Sequence, residues 1–89
     1  MKQLPEKTYQ GVYPQKWQNI KAAAASYGIK IETASGKSKS FGVELTWEWR
    51  YQAGSLEKPT LRITILESGF MRPVDALNFV DNIIQQAIA

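Results

Sequence analysis

The chain has 89 residues, 44% hydrophobic and 21% charged, with a formal net charge of +3, which bounds it to one small globular domain with a modest basic excess. It contains no cysteine and no histidine, which removes disulfides, thiolate nucleophiles, a structural zinc site and the commonest general base. No apolar run approaches the roughly 20 residues of a membrane-crossing helix, and the N-terminus as it stands lacks the apolar segment of a signal peptide, so a cytoplasmic protein without a cofactor is expected.

In chain order, residues 1–7 read as a flexible polar tail containing Pro5. Tyr9 and Tyr13 mark a stretch that either adds a short edge strand or lies across the core; Gly11 weakens a strand there. Pro14 then opens a helix over 14–27, because proline suits a first turn whose N–H groups lack partners anyway. Trp17, Ile20, Ala24 and Tyr27 form its apolar stripe, and Gly28 stops it. Ile29 to Thr33 alternate as a short strand, and residues 34–40 follow as a polar loop carrying Lys37 and Lys39.

Residues 41–52 are the clearest strand of the chain. Phe41, Val43, Leu45, Trp47, Trp49 and Tyr51 share one side, with Glu44, Thr46, Glu48, Arg50 and Gln52 on the other. A turn over 53–59 leads to a third strand over 60–67, with Leu61, Ile63 and Ile65 facing the core. Connections this short favour antiparallel hairpins. Setting Glu48 opposite Arg62 fixes the expected register, since the next one would oppose Arg50 and Arg62. Pro73 opens a last helix, with Asp75 complementing its dipole and Leu77, Val80, Ile84 and Ile88 on its apolar face. Asp81 falls on its wet side.

The expected fold is α+β in the order α-β-β-β-α: a three-stranded antiparallel meander with both helices packed on one face. That order is similar to the order of double-stranded RNA-binding domains. The resemblance stops at topology, because those domains carry a Gly-Pro-x-His loop and open the last helix with lysines. Here residues 53–59 lack that loop motif, and the last helix opens Pro73-Val74-Asp75-Ala76.

No catalytic constellation is present. Glu44 and Glu48 are roughly 13 Å apart along one strand, too far for a working carboxylate pair. Gly36-Lys37-Ser38 lacks the earlier glycine and following helix of a phosphate-binding loop, leaving Lys37 and Lys39 as a weak anion contact. Scattered Lys and Arg with no aromatic outer face make nucleic acid an unfavoured partner, which leaves weak binding through Lys30, Lys37, Lys39, Lys58 and Arg62 as a further alternative.

The strand over 41–52 points outward by its length, roughly 40 Å against roughly 21 Å of covering helix. Trp17, Trp47, Trp49, Tyr51, Phe70, Met71 and Phe79 surround the end that outruns its cover, unless Tyr9 and Tyr13 close over it. The expected activity is therefore binding without catalysis, through an aromatic sheet end and an exposed strand edge. The partner is another protein or a second copy; a small apolar or amphipathic ligand between helices and sheet is the alternative.

Overall fold

A computed structural model describes residues 4–40, 44–53 and 58–88. Six elements follow one another: β1 (Glu6–Gln10), α1 (Pro14–Ser26), β2 (Ser35–Ser40), β3 (Leu45–Gln52), β4 (Thr60–Glu67) and α2 (Pro73–Ile88). The fold is α+β with two helices, as expected, but the antiparallel sheet has four strands in the order β1-β4-β3-β2 rather than three. The chain enters at one edge, crosses the sheet through α1 and returns as the meander β2-β3-β4. Both helices lie on the inner face: Trp17 of α1 stacks on Tyr51, and Asp81 of α2 bonds Tyr9.

The extra strand is β1. Tyr9 turns inward opposite Leu61 and is buried, and Val12 behind it is buried too. Residues 6 and 7, expected in a loose tail, are part of the ladder with β4. Lys7 and Gln85 both bond Asp81, at 3.0 and 3.3 Å, and the Tyr9 hydroxyl donates to the same carboxylate. Asp81 is thus a partly buried anchor between α2 and the edge strand, not a solvated residue of the wet side.

These contacts shift both groups. Burial, then the bond to Asp81 and its charge, push the Tyr9 hydroxyl well above its ordinary value. Burial alone would raise the Asp81 carboxyl, but bonds from Tyr9, Lys7 and Gln85 with the Lys7 charge outweigh it and hold the carboxyl below its ordinary range. A raised tyrosine stabilises the fold below its unfolded value near pH 10 and loses that stability as pH rises; a depressed carboxyl stabilises above roughly pH 4 and loses that as pH falls. Tyr9→Phe should therefore cost about 1.5 kcal/mol near neutral pH. In thermal melts across pH, the gap to the wild type should narrow toward both ends of the range.

The second strand is displaced from its expected place. Gly28, at φ +79°, closes α1 with paired capping bonds, Gly28 N–H to Ala25 C=O and Ile29 N–H to Ala24 C=O. Ile29 and Ile31 then alternate into the core without joining the ladder. The pairing strand is instead residues 35–40, expected as a loop. Its inward positions Gly36 and Ser38 lie opposite Trp49 and Trp47. A Cβ on Gly36 would sit 2.9 Å from Trp49 Cζ2, so the indole occupies the space that an apolar side chain would otherwise fill.

The central strand is shorter than its alternation suggests. Glu44 has φ +56°, in the left-handed region, and the extended run begins at Leu45. The Phe41 and Val43 part of the expected strand lies outside the described residues, as does most of the turn over 53–59.

The register also differs from expectation. Tyr51 lies opposite Leu61, Trp49 opposite Ile63 and Trp47 opposite Ile65, which sets Arg50 against Arg62 and Glu48 against Thr64. A bulge near Trp47 leaves Leu66 as the extra residue on β4. Repulsion between exposed like charges costs about 0.2–1 kcal/mol. The observed and expected registers differ by two residues, so both keep the aromatic row of β3 against the aliphatic row of β4. The observed one sets Tyr51 opposite Leu61, with its ring stacked on Trp17 and its hydroxyl donating to Val12 C=O, contacts that outweigh so small a repulsion.

Candidate functional site

The inner face takes most of the aromatic residues that the sequence singles out. Trp17, Trp47 and Trp49 are 6%, 2% and 4% exposed, and they belong to the core rather than to a cleft. Trp17 and Tyr51 stack at 4.6 Å with an 11° interplanar angle. The Tyr51 hydroxyl donates to Val12 C=O at 2.7 Å, and Trp49 Nε1 donates to Thr33 C=O at 3.0 Å. Tyr9 and Val12 together close the end of the sheet where Tyr51 lies half-buried.

The remaining three aromatic-end candidates lie apart from this group. Phe79 is half-buried and meets the exposed Tyr27 edge-on at 6.3 Å. Met71 packs partly against the core, while Phe70 beside it is 84% exposed. A groove of about 300 Å³ lies where the start of β1, the end of β4 and the first residue of α2 meet, lined by Leu4, Pro5, Ile65, Leu66 and Pro73 among others.

Both sheet edges are open among the described residues. Ile65 N–H donates to Pro5 C=O at 2.9 Å, so the odd-numbered residues of β1 turn their backbone groups toward β4. Glu6, Thr8 and Gln10 therefore turn theirs outward. Tyr51 N–H donates to Ala34 C=O at 2.7 Å, which by the same alternation points the backbone of Ser35 and Lys37 away from β3.

The two edges differ in charge. The outward backbone of β1 belongs to Glu6, Thr8 and Gln10, with a single carboxylate among them. On β2, Lys37 lies opposite Glu48, and Lys39 pairs with Glu44 at 2.9 Å. Lysines on an edge strand discourage pairing with another chain. The two lysines read from the sequence as an anion contact thus each face an acid of their own chain.

The outer sheet face is polar and uncovered. One row across it reads Thr8, Arg62, Arg50, Ser35, and the next reads Glu6, Thr64, Glu48, Lys37. Thr64 at its centre is buried by these neighbours. Arg50 and Arg62 stand together on this face, a pair that the register expected from the sequence keeps apart. Among the described residues no cluster of three or more acidic side chains is placed to hold a metal ion, and no helix is long and apolar enough to cross a membrane. No known protein family, curated protein or solved structure matches the chain.

Proposed function

We propose that the protein is a non-enzymatic interaction module that associates with a second copy of itself through β1. Two copies pair antiparallel along this edge and join their four-stranded sheets into one. The observation that carries the reading is the self-complementarity of Glu6, Thr8 and Gln10, whose outward backbone groups are in register for it. A two-fold axis at Thr8 places Thr8 against Thr8 and Glu6 against Gln10, with no like-charge contact on the outer face. The same operation centred on Lys37 or Ser38 of β2 opposes lysines, Lys37 with itself or with Lys39. Leu4 and Tyr13, exposed at opposite ends of β1, are brought toward each other across the axis.

An interface built on one short edge strand belongs to the weak, transient class. Light scattering on size-exclusion fractions should therefore show a mass that rises from 10.1 kDa toward twice that value as concentration increases from about 10 μM to about 1 mM. Thr8→Lys puts two lysines at the axis without touching the core and should hold the protein at the monomer mass. A wild type that stays monomeric throughout contradicts the reading.

A further inference from the structure

The outer sheet face holds a second feature, independent of the β1 edge. Arg50 and Arg62 lie directly opposite each other in the ladder, with their Cβ atoms about 5 Å apart. Both are exposed, and neither has an ion pair or a side-chain hydrogen bond among the described residues. The hydroxyl residues Thr8 and Ser35 complete their row on either side. Beside Arg50, a shallow groove of about 360 Å³ is lined by Ser35, Gly36, Lys37, Glu48 and Trp49. Glu48 is the one carboxylate there, and it faces Lys37 across the ladder, so the arginine pair stays uncompensated in its own row.

We propose that Arg50 and Arg62 form a binding site for a phosphate monoester, with the Ser35 hydroxyl supplying a further donor from β2. Two guanidinium groups side by side present planar N–H forks that match a compact dianion, and such an ion relieves the repulsion between them. The described residues of this face include no aromatic side chain on which a base could stack, which favours a compact phosphate over a single nucleic-acid strand. The shared chemistry is the monoester group, whether on a free small molecule or on a phosphorylated serine of a peptide.

The test is a titration followed by backbone amide shifts at low ionic strength, with inorganic phosphate, a phosphoserine peptide and its unphosphorylated form as ligands. Shifts should centre on Arg50, Arg62 and Ser35. Affinity should fall at least tenfold in Arg50→Gln and in Arg62→Gln, and stay unchanged in Lys16→Gln on α1. Both arginine variants should melt at or above the wild-type temperature, because each removes a like-charge contact, and this separates lost binding from lost fold. Inorganic phosphate binding as tightly as the peptide identifies a free small molecule as the source; a preference for the phosphopeptide identifies a protein. Equal affinity in the wild type and both variants overturns the proposal. So does duplex DNA binding more tightly than either monoester, which would assign the pair to a phosphodiester backbone.

Discussion

Trp49→Ala is expected to cost about 3–5 kcal/mol of folding free energy, the range for emptying a large aromatic site in a packed core. Trp49 is 4% exposed, lies against Gly36 on the neighbouring strand and holds the loop before β2 through Thr33 C=O. Truncation leaves a cavity and removes the donor that satisfies that carbonyl. A domain of this size has about 5–15 kcal/mol in total, so the variant should unfold at much lower denaturant or fail to accumulate. The prediction separates two views of the tryptophan row. If Trp49 lined an open ligand cleft, its loss would leave stability nearly intact and remove binding. As part of the core it dominates stability.

Gly36→Ala is the second large effect, about 1–3 kcal/mol destabilising from a single added methyl group. The substitution exposes nothing and breaks no hydrogen bond. Its new Cβ meets Trp49 Cζ2 at 2.9 Å and Thr33 Oγ1 at 3.4 Å, and the indole is held from the other side by the core. Trp49→Phe removes the six-membered ring of the indole that makes the clash. In that background the alanine should cost far less, and the difference between the two costs measures the coupling directly. An alanine equally harmful in both backgrounds would place the strain in the backbone of β2 instead.

Both effects involve β2, the strand that hydropathy does not reveal. Residues 35–40 have no apolar side chain in their sequence, and Trp49 of β3 fills the space beside Gly36, so the stretch reads as a polar loop while the backbone forms a ladder. Ile29 and Ile31 show the reverse: correct alternation and correct burial, but no strand partner. Alternation reports which side chains face the core, not whether the backbone is paired. The helices were more legible. Pro14, Gly28 and Pro73 act locally on the backbone, and the stripe Trp17, Ile20, Ala24 is buried as its spacing implies. Tyr27, the last member of that stripe, lies beyond the helix end at its C-cap and is half exposed.

The register of β3 with β4 is not legible in the alternation, because a slip of two residues leaves the same side chains on the same face and still matches the two apolar rows. The charge contact between Glu48 and Arg62 is then the one signal the sequence offers, and it points to the register that separates Arg50 from Arg62, whereas the fold opposes them. β3 starts only at Leu45, after Glu44, whose left-handed backbone is not visible in a sequence where glutamate reads as an ordinary outward strand residue. At the other end, Tyr9 and Val12 close over the sheet where the Tyr51 hydroxyl bonds Val12 C=O, and the tryptophans are core. The outer strands expected at 29–33 and 60–67 are not the edges of the sheet: residues 29–33 stay outside the ladder and β1 covers β4, so the open edges are β1 and β2.

Hydrogen exchange of individual backbone amides, followed over a dilution series, tests the β1 association most directly. The Thr8 amide, at the two-fold axis, should exchange more slowly as concentration rises, together with those of Glu6 and Gln10. The outward amides of Ser35 and Lys37 on the opposite edge should exchange at a rate that concentration does not change. A Thr8 amide whose exchange is independent of concentration, or protection that develops at Ser35 and Lys37 instead, would contradict association through β1.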